Sequence, residues 1–442
     1  MKKSMVWLVA AGCLALVSCH PQKKTDTPVT GPEGIHACVK KLTDVIVYDI
    51  FTPPVASRIY TYTSLAAYEA GRFQNASSQS LTARLNGFPD MPKPEAGKDY
   101  LYQVAGVRAF CFVAEKLTFS KDTVRRFEAA TLASLRGGAA DELYDRSVAF
   151  GEAVGKKIME RAGKDRYKET RGMERYSIKQ YIEDKWLPTP PDYSDAVEPY
   201  WGMILPVGMD SASQFKPERP YPYSSKDKNS AYWKELTNVY ETVNHLTDSL
   251  KSIARFWDDN PFVSQHSGHL MIGRKKMTPG GHWMAIASQV AKETNADWEK
   301  SARAYALTAS ALLDGFISCW DEKYRSEYLR PVTVINKFIN PRWESYLQTP
   351  PFPEYTSGHS VISASAAMVL TTLFGDNYAF HDKTELEYGH GDRSFTSFLQ
   401  AAKEAGLSRL YGGIHYRFSC ERGTEQGKKV GEWLVKKVGR QE

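Results

Sequence analysis

The sequence predicts an all-α protein, and three observations carry that prediction. Between Asn295 and Arg330 there is no proline and one glycine, and apolar residues recur at alternating intervals of four and three, which indicates a long helix with one buried face. Helix-forming residues also dominate from 99 to 163, where Gly137-Gly138 marks a turn between two helices. No apolar run alternates for long enough to predict strands that could carry a sheet.

In chain order, the first segment is a predicted export signal. Two lysines form its charged start, an apolar stretch follows, and residues 16–19 end at Cys19 in a pattern similar to a bacterial lipobox. The apolar stretch is too short to span a bilayer as a helix. We therefore expect an exported bacterial lipoprotein, anchored to a membrane at Cys19 on the periplasmic face or the cell surface. A plain signal peptide with a chance cysteine is the alternative.

The rest of the chain divides at a proline-rich segment. Residues 1–19 are the predicted lipoprotein signal peptide and residues 20–36 a tether. Eight of the 23 prolines fall between Pro188 and Pro222, among many aromatic residues. A structureless stretch of this length is typically an ordered segment that wraps over helices or a loop at the entrance of a site, and we favour the wrapping segment. We place the domain boundary at its end, giving an N-terminal helical region of residues 37–225 and a C-terminal helical domain of residues 226–442.

Charge and cysteine content exclude several classes of function. The formal net charge is +6 and falls to +4 once Lys2 and Lys3 leave with the signal, and the basic residues are scattered. We therefore expect no nucleic-acid partner. The cysteines beyond the signal, at 38, 111, 319 and 420, are too widely spaced to define a disulfide framework, and none has metal-ligand spacing. Cys319 lies on the apolar stripe and is predicted to be a core residue.

The end of the long helical pattern carries two cations. Continuing its spacing beyond Cys319 places Lys323 and Arg330 on the face that the helix otherwise buries. A charged side chain on a buried face is costly unless an anion or a hydrogen-bonding partner meets it. Pro331 disfavours helical geometry at the preceding residue, so the helix is predicted to stop at Arg330.

Two further segments offer groups of the same chemistry. Ser357-Gly358-His359 precedes the apolar helical run 361–374, with Ser357 or Ser360 as its predicted N-cap, and free backbone N–H groups at a helix N-terminus suit an oxyanion. Ser408-Arg409 and His415 flank a flexible Gly-Gly pair and add a third cation and a second imidazole. Together the three segments suit a tetrahedral oxyanion that can pass to a trigonal bipyramid.

The order and spacing of these segments resemble the signature of the type 2 phosphatidic acid phosphatase and vanadium haloperoxidase superfamily, Lys-x6-Arg-Pro, Ser-Gly-His and Ser-Arg-x5-His-x3-Asp. The likeness covers residues 37–438 and is greatest with the soluble bacterial haloperoxidases. It implies two helical bundles, with Lys323, Arg330 and Arg409 gripping the oxygens of phosphate or vanadate. Ser357 and the N–H of Gly358 would add hydrogen bonds.

The same resemblance assigns roles to the two histidines. His359 would be the acid or base beside the apical oxygen, and His415 either a nucleophile towards phosphorus or the ligand to vanadium. The aspartate that closes the signature, which accepts a proton from the distal nitrogen of that histidine, is replaced here by Ser419. Either another carboxylate substitutes for it, with Glu421 near in sequence, or His415 is a weaker nucleophile.

The resemblance also implies residues around the pocket. Trp320 and Phe352 match aromatic residues that line the halide site of chloroperoxidase-like members. Asp258 or Asp259 would pair with Arg409, although the end of a helix explains these acids equally well. Ser267-Gly268-His269 and Gly281-His282 lack the upstream Lys-x6-Arg-Pro helix, so both histidines are predicted to be structural. His381 and His390 are predicted to lie on the surface.

Three functions follow from these predictions. The first is a haloperoxidase-like enzyme with vanadate as cofactor, which oxidises a halide with hydrogen peroxide and takes small-molecule substrates. The second is a periplasmic acid phosphatase that needs no cofactor and cleaves a phosphate ester through a phosphohistidine at His415. The third is a non-catalytic oxyanion-binding lipoprotein, which only the serine at position 419 favours.

Overall fold

The computed structural model describes residues 31–261, 263–267 and 270–439, and side chains are described outside 262–274. The predicted signal peptide with Cys19, most of the tether, and His269 lie outside the described residues. Within the described part, the helices dominate and the strands form only two short antiparallel hairpins. The prediction of an all-α fold is therefore confirmed.

Six helices form the first part of the chain: α1 (Glu33–Asp49), α2 (Pro53–Gly71), α3 (Tyr102–Leu117), α4 (Lys121–Arg136), α5 (Asp141–Ala162) and the short α6 (Tyr167–Arg171). Thr52 caps α2 by accepting a hydrogen bond from the N–H of Val55, and Pro53 supplies a first residue that needs no partner. Every residue of α2 is buried, because this helix packs against α3 on one side and the long helix of the second part on the other.

The second part contains the remaining elements: α7 (Ala231–Asn244), α8 (Asp248–Phe256), the hairpin β1 (Val263–Ser267) and β2 (Leu270–Arg274), α9 (Pro279–Glu293), α10 (Trp298–Ser326), α11 (Pro331–Phe338), α12 (Gly358–Phe374), the hairpin β3 (Phe380–Asp382) and β4 (Arg393–Phe395), α13 (Phe398–Tyr411) and α14 (Arg417–Val438). One hydrophobic core extends from Ile35 in α1 to Val438 in α14 and so crosses the boundary proposed at residue 225. The four cysteines of the described residues are buried free thiols.

The proline-rich segment of residues 186–225 lies over α10 in irregular conformation, with turns and a single turn of 3-10 helix at Trp201–Met203. The carboxylate of Asp314, fully buried in α10, accepts hydrogen bonds from three consecutive N–H groups of this segment, those of residues 207, 208 and 209, at 2.7–2.9 Å. Near its start, the N–H of Trp186 donates to the carbonyl of Glu327 over 2.7 Å. The segment is thus the predicted wrapping segment, and three of its backbone N–H groups are satisfied by the helix that it covers.

The prediction that one helix continues to Arg330 is wrong. Helix α10 ends at Ser326, and Glu327 takes a left-handed conformation with φ of 51°. Arg330 is extended and precedes Pro331, the first residue of α11. The helix stops early because residues 327 and 328 pair with the wrapping segment, through the Trp186 bond and a bridge between Lys185 and Tyr328. Both cations are nevertheless buried, as the spacing predicted.

Within the described part of the chain, we find no helix whose length and hydropathy would let it cross a membrane.

Candidate active site

The three motif segments meet where α10 and α13 end and α12 begins. They enclose a small space, the oxyanion cavity, which is lined by the following residues of the predicted site: Asp259, Trp320, Phe352, Gly358, His359, Arg409 and His415. The space open to the centre of a water-sized sphere is 40 Å³, and by that measure one water needs roughly 10–15 Å³. The cavity can therefore hold a few water-sized atoms, as in a tetrahedral oxyanion. A larger groove of 1020 Å³ between α13, α14 and the wrapping segment contains no predicted site residue.

Two buried arginines have donors without partners: Arg409 lines this space, and Arg330 contacts the lining residue His415. Arg330 is fully buried and donates to the carbonyls of Phe352 and Ile414 over 3.0 and 2.7 Å, but its Nη2 has no hydrogen-bond partner. Arg409 donates through Nη1 to the carbonyl of Trp257 over 2.8 Å, and its Nε has no partner. Burial lowers the pKa of Arg330 to about 10 and also lowers that of Arg409. A multiply charged anion would relieve both cations.

Lys323 takes part differently from the two arginines. Its ammonium group donates to the carbonyls of Pro353, Glu354 and Thr356 over 2.9, 2.9 and 2.6 Å, which uses all three of its hydrogens. The side chain lies behind the cavity wall, fully buried, and burial lowers its pKa to about 7. In this arrangement Lys323 contributes positive charge near the cavity and holds the loop before Ser357, and it donates no hydrogen bond into the cavity.

His415 follows α13 and turns one ring nitrogen towards each of two charged groups. Its Nε2 lies 3.1 Å from Nη1 of Arg330, and its Nδ1 lies 2.7 Å from Oε1 of Glu354. Burial and the neighbouring cations hold its pKa well below the usual value, so the ring is neutral. The histidine therefore keeps a basic nitrogen at the cavity.

Glu354 was not among the residues predicted for the site. It is fully buried, and its pKa is raised by burial to about 7. The alternative carboxylate considered from the sequence, Glu421, is exposed and makes no contact with His415. Glu354 is 61 positions from His415 in the chain, so no local pattern links them. The one available signal is a single acid in the apolar Pro350–Tyr355 stretch that leads into Ser357.

The Ser-Gly-His segment begins α12 as predicted. Ser357 is its N-cap and accepts a hydrogen bond from the N–H of Ser360 at 3.3 Å. Ser357 itself is fully buried behind the cavity wall, whereas Gly358 lies on it. Because Gly358 has no side chain, the backbone N–H groups at the helix start are accessible to a ligand, and a Cβ there would lie 3.6 Å from the Trp320 ring.

His359, one residue further into α12, lines the cavity with an unpartnered Nε2. The carbonyl of Trp257 hydrogen-bonds to its ring, and since Nε2 has no partner, this bond is made by Nδ1–H. Burial, followed by the charge of Arg409, lowers the pKa of His359 well below its usual value. The ring is therefore neutral, with the lone pair of Nε2 directed to the cavity, 4.0 Å from Oδ2 of Asp259.

The two aspartates after α8 have different neighbours. Asp258 lies 3.9 Å from Nη2 of Arg409, as the resemblance implied for one of the pair, and burial raises its pKa to about 6. Asp259 instead receives a hydrogen bond from Nδ1 of His282 at 3.0 Å. The other nitrogen of His282 lies 2.9 Å from Asp382, and all three side chains are buried.

His282 is thus part of a buried ion-pair network one side chain away from His359. Since a carboxylate accepts at each ring nitrogen, His282 is an imidazolium, and the two carboxylates raise its pKa despite its burial. Donor atoms of Asp259, His282 and Glu385 lie within 4.8 Å of one another, as in some metal sites. Both nitrogens of His282 are engaged by carboxylates, whereas the buried carboxylate oxygens of Glu385 have no hydrogen-bond partner.

Trp320 and Phe352 form an apolar wall of the cavity. Their ring centroids are 4.9 Å apart, and the guanidinium of Arg330 lies 5.1 Å from the centre of the Phe352 ring. The indole N–H of Trp320 donates to the carbonyl of Val197 over 3.2 Å, so it is not available to a ligand. The wall therefore excludes water without offering a hydrogen bond.

This donor set fits vanadate as well as phosphate. The unpartnered nitrogens of Arg330 and Arg409 and the start of α12 can receive oxyanion oxygens, and the neutral His415 can offer a nitrogen to vanadium. The fold and the site together define an oxyanion enzyme of the vanadium haloperoxidase class. Residues 303–441 match the family model described as the VCPO second helical-bundle domain.

The chain belongs to the vanadium haloperoxidase family and is a haloperoxidase-like enzyme. The structure described as the first bacterial vanadium-dependent iodoperoxidase is 44% identical, with a TM-score of 0.88 over 93% of this chain and 98% of that one. Holo and apo structures of a bacterial vanadium-dependent chloroperoxidase are 17% identical, with TM-scores of 0.65 and 0.64, and cover 88% of this chain and 93% and 94% of theirs. At that identity they show the shared fold alone. No curated protein sequence matches the chain.

Proposed function

We propose that this protein is a vanadate-dependent peroxidase whose preferred halide is iodide. The observation that carries the vanadate part is that two guanidinium groups keep a nitrogen without a partner beside one small cavity: Arg409 lines the cavity with His415, and Nη1 of Arg330 lies 3.1 Å from Nε2 of His415. Vanadate would be held by Arg330, Arg409 and the N–H groups at the start of α12, with His415 as its protein ligand. When bound, it supplies Lewis-acid activation of hydrogen peroxide for the two-electron oxidation of a halide.

His359 has the protonation state that such a reaction needs from a base. Its Nδ1–H is held by a backbone carbonyl, so the proton from the peroxide has one place to go on this side chain, the free Nε2. Once Nε2 is protonated, the carboxylate of Asp259 at 4.0 Å stabilises the imidazolium. The proton can then return from Nε2 to a departing oxygen.

The buried cations have two tasks in this proposal. They hold the oxyanion, and they stabilise negative charge that develops on its oxygens, which they do more strongly in a water-poor cavity than they would at the surface. Because their positions are fixed by backbone carbonyls of residues 257, 352 and 414, no reorganisation is needed at the moment of reaction.

Iodide is proposed as the halide for two reasons. The relative at 44% identity is an iodoperoxidase. In addition, the wall formed by Trp320 and Phe352 offers no hydrogen bond, since the indole N–H is bound to Val197. A weakly hydrated halide loses least on leaving water for such a surface, whereas a strongly hydrated one needs a donor to replace its water.

The experiment compares halides with and without vanadate. Purified protein is incubated with orthovanadate and hydrogen peroxide, and iodide oxidation is followed as triiodide, bromide oxidation with a phenol-red-type dye. We expect vanadate-dependent oxidation with iodide preferred, and loss of activity in His415→Ala. His36→Gln is the matched control, because His36 in α1 is also a buried histidine but bonds to Tyr305 and does not line the oxyanion cavity.

The same preparation tests the phosphatase alternative. Release of p-nitrophenol from its phosphate ester, without added metal and inhibited by vanadate, together with no halide oxidation, would select a phosphatase. Binding of vanadate without either activity would select an oxyanion-binding protein.

We further propose that the mature chain is a lipoprotein acylated at Cys19, on the strength of the lipobox-like residues 16–19. Expressed with its signal, the wild type should partition into detergent and Cys19→Ser should not. A mature wild-type chain that starts elsewhere and partitions into water would contradict this proposal.

A further inference from the structure

The loop of residues 353–356 connects two charged groups whose roles differ from those in the sequence signature. Its backbone carbonyls take up the ammonium of Lys323, and its only carboxylate, that of Glu354, reaches His415. The signature instead uses the lysine to grip the oxyanion and an aspartate four residues after the histidine to orient the ring. In this chain that position is Ser419.

The neighbours of His415 allow only one tautomer of its neutral ring. A guanidinium can only donate, so the nitrogen that faces Arg330 at 3.1 Å must carry a lone pair. The nitrogen at 2.7 Å from Glu354 must then carry the hydrogen and donate it to the carboxylate. This is the tautomer that offers Nε2 to a ligand in the cavity, and a carboxylate behind a ligating histidine increases its basicity.

The Glu354 carboxylate is held through Oε1, while its Oε2 has no hydrogen-bond partner. The oxygen that accepts from His415 also accepts from the N–H of Tyr416 at 3.1 Å, which joins it to the start of α14. The N–H of Glu354 donates to the carbonyl of Tyr328 at 2.9 Å, while Lys323 holds the carbonyls on both sides of the residue. The buried ammonium group of Lys323 therefore holds the loop, and with it Glu354, in position.

Ser419 and Glu354 are neighbours in the protein interior. Both are fully buried, and the Ser419 hydroxyl lies near enough to the Glu354 carboxylate to lower its pKa, although neither that hydroxyl nor Oε2 of Glu354 has a well-formed hydrogen bond. An aspartate at 419 beside Glu354 would bury two carboxylates together, which is costly. The small serine thus leaves room for one carboxylate, supplied by the loop.

We propose that Glu354 is the positioning residue of His415, that it replaces the carboxylate missing at position 419, and that Lys323 acts with it by bracing the loop. The inference rests on the proposed function in one respect, the use of His415 as the ligand of vanadate. Glu354 does not line the oxyanion cavity, so it should affect vanadate binding only through the bond that His415 makes to vanadium.

The test measures equilibrium affinity for vanadate and for inorganic phosphate in four proteins: wild type, Glu354→Gln, Ser419→Asp and the double variant. Phosphate is held by the arginines without a bond from His415, so Glu354→Gln, which removes a nearby negative charge, should leave its affinity unchanged or higher. Vanadate affinity should fall roughly 10- to 100-fold, the usual cost of losing the partner of a ligating histidine. The double variant should recover it, and Ser419→Asp alone should destabilise the protein. A merely structural role would lower both affinities together.

Two further measurements complete the test. Nitrogen-15 spectra of histidine-labelled wild type without vanadate should show His415 protonated at Nδ1, with the signal identified by its loss in His415→Ala. Glu235→Gln is the matched control, because Glu235 accepts from the N–H of Phe418 in the same turn of α14 without touching His415, and both affinities should stay at wild-type values.

The proposal is overturned if His415 carries its proton on Nε2, if Glu354→Gln lowers both affinities alike or neither, or if the folded double variant does not recover vanadate binding. If His415→Ala leaves wild-type vanadate affinity unchanged, the proposed function fails at this residue. The tautomer and phosphate measurements still report on Glu354 in that case.

Discussion

Replacing Arg409 by glutamine separates the effect of a buried cation on anion binding from its effect on the stability of the fold. The guanidinium is 2% exposed, makes one hydrogen bond to the protein, and has its nearest carboxylate, that of Asp258, at 3.9 Å. Its Nε has no partner. The side chain is therefore held in the protein at a cost that an oxyanion relieves, and the substitution should act mainly on anion binding.

The magnitude follows from the bonds at stake. A hydrogen bond to a charged group contributes about 1.5–3 kcal/mol, so Arg409→Gln should weaken phosphate binding roughly 10- to 150-fold. Without ligand, the variant loses the bond from the charged guanidinium to Trp257, about 1.5–3 kcal/mol, but no longer buries a poorly paired charge, and these two effects oppose each other. The free energy of unfolding should therefore change by no more than about 1 kcal/mol in either direction.

Calorimetric titration with phosphate and denaturant unfolding measure the two quantities on one preparation. Arg303→Gln is the matched control. Arg303 lies in α10 and is buried like Arg409, but it bonds to Tyr68 and to the carbonyl of Gly439. It should lose stability and keep phosphate affinity. Phosphate binding by Arg409→Gln within about twofold of wild type, or lost only in step with stability, would refute the reasoning.

Two further predictions concern buried charges. His282→Gln leaves Asp259 and Asp382 without their cation and should cost about 3–5 kcal/mol of unfolding free energy. The pKa of His282 is raised and that of Asp382 lowered. The stabilisation that comes from His282 is therefore full below its unfolded pKa of about 6.5 and is lost as pH rises through its folded pKa. The stabilisation that comes from Asp382 is full above its unfolded pKa of about 3.8 and is lost as pH falls through its folded pKa. The free energies of unfolding of the wild type and of His282→Gln should differ most between about pH 4 and 6.5. A difference that grows above pH 7 would contradict the assignment of His282 as an imidazolium. Burial lowers the pKa of Lys323 to about 7, so sulfate, whose charge is constant, should bind less tightly as pH rises through about 7, and Lys323→Arg should flatten that decline. Sulfate titrations from pH 6 to 9 with no decline in the wild type would show that Lys323 stays charged.

The sequence by itself determined the features that depend on near neighbours. Helical periodicity identified the buried face that carries Lys323, and the serines at 357 and 360 limited the start of α12 to two positions, of which the structure uses the first. The order of three short motifs predicted that distant residues gather at one cavity, and Gly358, His359, Arg409 and His415 line it, whereas Lys323, Arg330 and Ser357 are buried and are not among its lining residues. The composition of residues 186–225 likewise predicted a segment that wraps over helices.

Only the tertiary structure decided which groups satisfy one another. Glu354 lies 61 positions from His415, Asp382 lies 100 from His282, and Trp257 lies 152 from Arg409. No local pattern specifies such pairs, because they follow from how helices pack and where loops between them end. Helix α10 also stops before Arg330 because the wrapping segment pairs with residues 327 and 328. A buried charge takes whichever partner packing brings within reach, so the residue types could be predicted from the chain and their partners could not.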